Sequence, residues 1–185
     1  MTSTGWLARV DSVDSGAHTD GCSGAGDPGG PDRDNLLTMA DRTESSIHVD
    51  AKPGVVLDVI ADFEAYPEWA AEVKRVSVLS EEGDGWADRV EYTLDAGVLK
   101  DTYTLDYEWD IADDGTGVVS WSLVRAMVLK AMNGSYTIAR DKGGSKVTYR
   151  LAVDLNIPML GMLKRKAEQQ IVDTALRELK KRAEG

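Results

Sequence analysis

The sequence predicts an α+β fold, a curved antiparallel sheet of about seven strands wrapped around a long C-terminal helix, with two short helices after strand 1. Three observations lead there. Residues 73–155 fall into six consecutive segments that alternate apolar and polar side chains, each closed by a turn signal. Such segments have one dry face and one wet face, and their short links make an antiparallel meander. The one long helical pattern, Leu160 to Ala183, comes last, and a one-sided sheet needs a cover.

The elements follow in order. Arg42 to Val49 is strand-like, with Ile47 and Val49 on one face. Pro53 opens a helix where its missing N–H costs nothing, and Val55, Val56, Val59, Ile60 and Phe63 recur at helical spacing. Pro67 interrupts, so a second short helix starts around Pro67-Glu68-Trp69. The strand from Val73 to Leu79 ends at the turn EEGDG, 81–85. Arg89 to Ala96 puts Val90, Tyr92 and Leu94 on one face. Thr102 to Ile111 alternates most cleanly, with Tyr103, Leu105, Tyr107, Trp109 and Ile111 together. DDGTG at 113–117 turns the chain into Val118 to Met127, followed by Met132 to Arg140. DKGG at 141–144 leads to the last strand, with Val147, Tyr149, Leu151, Val153 and Leu155 on one face. The final helix carries Leu163, Ala167, Ile171, Ala175 and Leu179 at intervals of four, so its apolar row winds about 40° per step. Leu163, Ile171 and Leu179 are expected to be buried there.

Residues 1–38 read as a disordered tail. GAHTDGCSGAGDPGGPDRDN is rich in Gly, Asp, Ser and Pro and offers almost nothing to bury. The character changes at Met39, which leaves open that translation begins there, and residues 39–185 form the domain. The start MTSTGWLARVDS is a poor secretory signal, and no apolar run approaches the roughly 20 residues that span a bilayer. A cytoplasmic protein is expected.

Composition excludes several functions. Cys22 is the only cysteine and the histidines are His18 and His48, so no internal disulfide and no metal-ligand spacing is present in the sequence. No cofactor motif appears either: there is no Gly-rich phosphate loop and no G-x-S-x-G. The formal charge of −11 would repel phosphate backbones, so nucleic acid is not an expected partner. Residues 160–185 differ, with seven basic against four acidic residues. That end is read either as a solvated helix face or as a site of transient contact with anionic membranes. The sequence leaves the oligomeric state open.

The order strand, two helices, six strands, long helix resembles the helix-grip, START-like superfamily. Within it, the local motifs are similar to those of the bacterial polyketide cyclase/dehydrase and lipid-transport (SRPBCC) group. The sharpest local match is Ala61-Asp62-Phe63-Glu64-Ala65-Tyr66-Pro67-Glu68-Trp69, similar to the group's D-x-x-x-Y-P-x-W pattern. Asn133-Gly134-Ser135-Tyr136 is similar to its sixth-strand start. The resemblance implies a hydrophobic cavity between sheet and helix that binds or carries an apolar small molecule or lipid. It also leaves a polyketide cyclase or dehydratase activity open, and a protein-interaction module with a filled core is the third reading.

The cavity walls would be the inward residues Tyr92, Tyr103, Leu105, Tyr107, Trp109, Tyr136 and Tyr149, with Leu163 and Ile171 from the helix. Trp121, Leu123 and Arg125 share one parity on their strand. If they face inward, Arg125 becomes a cation able to anchor a carboxylate or enolate; if not, it pairs with an acid on the surface. Tyr66 and Trp69 either line the cavity mouth or pin the helical elbow. His48 is expected to face solvent, and Glu168, beside the apolar stripe, to bend out to water.

A tail of this composition cannot offset its own ordering entropy. A chain beginning at Met39 should therefore melt at the temperature of the full chain, as read by circular dichroism; a drop of several degrees would place the tail in the domain's packing.

Overall fold

A computed structural model of the protein describes residues 42–185, apart from 82, 84, 97, 98 and 157–160 and the side chains of 96, 99 and 161–163. The tail therefore lies outside the described residues. The order is β1 (Thr43–Val49), α1 (Pro53–Ala61), a 3-10 turn (Phe63–Ala65), α2 (Tyr66–Trp69), β2 (Val73–Glu81) and β3 (Ala87–Ala96). Then come β4 (Leu99–Ile111), β5 (Gly117–Arg125), β6 (Leu129–Asp141), β7 (Gly144–Leu155) and α3 (Gly161–Glu184). The seven strands form one sheet in the order β1-β7-β6-β5-β4-β3-β2, every pair antiparallel. Strands 2 to 7 are thus the expected meander, and β1 closes onto its last strand. The helix-grip α+β architecture is the observed one.

Local chemistry sets the turns. Lys142 and Gly143 both have positive φ (44° and 90°), the pairing a two-residue hairpin loop needs to match strand twist. Between β4 and β5, Asp114 Oδ1 accepts from Thr116 N at 2.9 Å and Thr116 Oγ1 at 2.6 Å, and Gly115 takes φ 81°. The Thr116 hydroxyl and amide, with Arg140, hold the Asp114 carboxyl down at about 2. The loop from β5 to β6 is fastened by Asp101, which is buried and accepts from the backbone N–H groups of Met127, Val128 and Leu129 at 2.9–3.0 Å. A buried carboxylate is tolerated because charge-assisted bonds surround it.

Helix α1 buries Val56, Leu57 and Ile60 and leaves Val55 exposed, so its dry face lies slightly round from the expected one. In α3, Val172, Leu176 and Leu179 are fully buried, and Ala175 and Ala183 pack beside them. These residues and Glu168 fall within an arc of about 100°. Ile171 lies some 40° beyond that arc and is 38% exposed. Its expected burial is corrected: a row spaced strictly by four drifts off the contact face, whereas the observed 172-175-176-179-183 mixes threes and fours and stays on it. Leu163 lies among the side chains outside those described.

One further expectation changes, at Glu168, and one open alternative is decided, at Arg125. Glu168 is 3% exposed: it accepts from Val153 N at 2.9 Å and from Thr43 Oγ1 at 3.0 Å, tying α3 to β7 and β1. Two local donors hold the carboxylate more cheaply than a bend to water would. Arg125 is exposed on the outer face. Leu123 pairs with Leu105 but Arg125 pairs with Thr104, so Val124 is an extra residue that bulges and flips the parity. Arg125 then reaches Thr104 Oγ1 (3.0 Å) and Glu91 Oε2 (2.7 Å), completing a row across three strands. It does not face the interior.

Leu179→Ala should cost about 2–5 kcal/mol in urea denaturation, because it empties a fully buried site. Ile171→Ala should cost less than about 1 kcal/mol. Equal costs would mean that α3 packs through a different face.

Candidate functional site: an aromatic inner face and a neighbouring cleft

The concave face of the sheet collects the rings that alternation assigned to it. Tyr92, Tyr103, Leu105, Tyr107, Trp121, Tyr136 and Tyr149 are all buried, and Trp109 is half-buried. Trp121 faces inward with Val119 and Leu123, which settles the parity of β5 up to the bulge. Its indole lies across Gly134, its cross-strand partner: a Cβ there would sit 2.3 Å from the ring. The glycine of the Asn133-Gly134-Ser135-Tyr136 segment thus makes room for the largest ring of the wall.

The helical elbow supplies the rest. The Phe63 ring lies 5.0 Å from Tyr107, 5.6 Å from Tyr66, 6.2 Å from Trp109 and 6.5 Å from Tyr92. Tyr66 stands 4.7 Å from Trp69 and donates its hydroxyl to the Ile60 carbonyl at 2.9 Å, so it pins the elbow and joins the wall at once. On the other side Trp121 lies 5.8 Å from Tyr107, 5.4 Å from Tyr136 and 5.7 Å from Tyr149. The contacts join into one network, each within the range where ring pairs attract. Sequence patterning did not mark Phe63 as its centre; the fact that it is the chain's only phenylalanine was the available signal.

The polar edges of these rings are distributed unevenly. Tyr92 and Tyr107 bond to each other at 2.6 Å between hydroxyls. The hydroxyls of Tyr103, Tyr136 and Tyr149 bond to no described residue. Among the described residues the one fully buried side-chain nitrogen or oxygen without a partner is Trp69 Nε1. Burial first, and the neighbouring phenols and Asp101 second, push all six tyrosines well above their ordinary value.

Two clefts lie beside the elbow, outside the tyrosine wall. One, about 260 Å³, lies between the 3-10 turn and the β2–β3 hairpin and is lined by Asp62, Phe63, Glu64, Glu81, Trp86 and Trp109 with smaller apolar neighbours. The other, about 160 Å³, is lined by Val55, Asp58, Val59, Asp62, Trp69 and Arg182. His48 is half-exposed between Asp50 (2.9 Å) and Asp141 (3.2 Å), on the strand's outer side as expected. Among the described residues no helix is long and apolar enough to cross a membrane, and no cluster of acids and histidines could hold a metal ion.

Residues 40–184 match the family model described as polyketide cyclase / dehydrase and lipid transport. The chain belongs to that family. Its fold is similar to a START superfamily protein from Mycobacterium smegmatis, with a TM-score of 0.71, 17% identity and coverage of 77% of this chain and 97% of that one. A protein from Thermus thermophilus gives a TM-score of 0.64 at 22% identity, covering 77% and 96%. The Zhui aromatase/cyclase from a Streptomyces species gives 0.59 at 15% identity, covering 77% and 93%. The family supports ligand binding or cyclase-type chemistry within this fold.

The raised tyrosines have a consequence for stability. The unfolded chain ionises its phenols near pH 10, while the folded chain does so only at higher pH, so the unfolded state binds fewer protons above pH 10. The contribution is fully present below pH 10 and is lost above it, at up to about 1.4 kcal/mol per pH unit for each tyrosine. Absorbance at 295 nm should show no phenolate until the protein unfolds, in one steep step together with the loss of near-UV circular dichroism. Gradual ionisation near pH 10 with the fold intact would contradict the burial.

Proposed function

We propose that the protein binds and carries an apolar small molecule or lipid against the inner face of the sheet. The observation that carries this reading is the set of hydroxyls on Tyr103, Tyr136 and Tyr149, which bond to no described residue inside an aromatic wall. Buried tyrosines ordinarily find a partner. Here the partner is a ligand with a flat or chain-like body and a few oxygen functions, the composition small-molecule sites favour. Leu105, Tyr107 and Trp121 supply contact area. Ile171, on the edge of α3, contributes no more than rim contact.

A cyclase would need a preorganised group to assist enolisation. Arg125, the cation the sequence offered for that role, is paired with Glu91 on the outer face. This favours carriage over catalysis. Transient contact with anionic membranes remains part of the proposal through the basic end of α3. Lys180 and Arg182 are already engaged there by Glu184 and Glu68, so Lys164, Lys166 and Lys181 would carry it.

Native mass spectrometry of the purified protein should show a co-purifying small molecule. In titrations with 1-anilinonaphthalene-8-sulfonate, Arg125→Ala and Tyr103→Phe should each change affinity by less than about tenfold, near 1.4 kcal/mol. Tyr107→Ala or Trp121→Ala should weaken it more, since each removes a large part of the wall. A folded protein that takes up no apolar probe would leave the interaction module as the reading.

A further inference from the structure

Gly134 stands in the middle of β6, where a glycine weakens the strand and adds no side chain to the core. The other described glycines of the sheet, Gly117 and Gly144, open their strands beside turns. The φ of Gly134 is not positive, so backbone freedom is not what the position needs. What the glycine provides is room on the inner face. It pairs with Trp121 on one side and Leu151 on the other, so a side chain there would point inward with theirs. The Trp121 indole leans across the position instead. An added Cβ would lie 2.3 Å from its Cζ2, 2.5 Å from Cε2 and 2.8 Å from Nε1. These atoms belong to the rigid ring system, so the indole would have to move as a body, by about 1 Å or more, to regain van der Waals contact. With the sheet beneath it, the ring yields by rising into the interior. There it meets Tyr107, Tyr136 and Tyr149, whose rings stand 5.8, 5.4 and 5.7 Å away.

We infer that Gly134 is the specificity-determining residue of the inner face. It is a positioning residue: it acts through Trp121, which it lets lie back against β6. The inference rests on the proposed carriage of an apolar ligand and adds which shape of ligand is carried. An indole raised by about 1 Å takes width from the interior, as overpacking does in any core. A slender alkyl chain bends round such a step by changing a few torsions. A fused-ring body is rigid and cannot. Keeping Trp121 low therefore matters to a ring-bodied ligand, and Tyr107, Trp121, Tyr136 and Tyr149 add the attraction of ring for ring.

The test titrates the full chain by calorimetry with anthracene-9-carboxylate and with decanoate, a chain acid of similar hydrophobicity. The wild type should bind the ring acid at least about tenfold more tightly. Gly134→Ala should narrow that preference at least about fivefold, by weakening the ring acid and leaving the chain acid nearly unchanged. In the double variant Gly134→Ala/Trp121→Phe the shorter ring clears the new carbon, and the preference should return to within about twofold of Trp121→Phe alone. A glycine with a merely structural role would lower the melting temperature and leave the preference as it was. A folded Gly134→Ala that keeps the wild-type preference overturns the inference. So does a wild type that binds the two acids equally, an outcome that decides the matter even where Gly134→Ala does not fold. A wild type that binds neither acid overturns the carriage reading along with it, so the two failures are told apart.

Discussion

Phe63 sits where the chain leaves α1, and four aromatic residues of two kinds of element close on its ring: Tyr66 from the elbow, and Tyr92, Tyr107 and Trp109 from β3 and β4. This contact fixes the angle at which the helical layer meets the sheet. It depends on strand parity, because a one-residue slip of β4 would turn Tyr103, Leu105, Tyr107 and Trp109 outward together. It depends equally on the elbow, which Tyr66 locks through the Ile60 carbonyl. From Tyr107 the network runs on to Trp121, Tyr136 and Tyr149, and so spans the inner face from β3 to β7.

The buried polar groups serve this packing. Asp101 gathers three backbone N–H groups at the β5–β6 loop, Ser145 donates to the Ala51 carbonyl at 2.7 Å, and Glu168 takes the Val153 N–H. Each sits where a backbone group would otherwise be buried without a partner, which is costlier than ordering one side chain. These groups are absorbed by structure. The tyrosine hydroxyls of β4, β6 and β7 at positions 103, 136 and 149 bond to no described residue, and the proposed carriage rests on that contrast.

Charge divides the molecule in the same way. On the outer face of the sheet Glu44, Glu91 and Asp106 are matched by Arg150, Arg125 and Arg89, while the interior holds no matched ion pair among the described residues. An interior of phenols that stay neutral through the physiological range is weakly polar. It is suited to shape recognition with a few hydrogen bonds. The cleft beside it, with unmatched carboxylates around stacked indoles, has the opposite electrostatics.

Much of this was legible from residue order. Alternation assigned Tyr92, Tyr103, Tyr107, Tyr136 and Tyr149 to the dry face because side chains in a strand alternate strictly, and the turn signals at Asp113–Gly117 and Asp141–Gly144 bounded the strands. The long helix and the elbow were equally visible, and they carried the family resemblance. Three things were decided only by the tertiary structure. A bulge at Val124, invisible in a pattern that assumes perfect alternation, sent Arg125 to the outer face. The curvature of the sheet selected which arc of α3 it touches, burying Val172 and Glu168 and leaving Ile171 at the edge. The cleft of Trp86, Trp109 and three carboxylates joins residues 62 to 109, and no local spacing records such a meeting. Local sequence fixes where each side chain points along its own element; only packing between elements decides what it meets there.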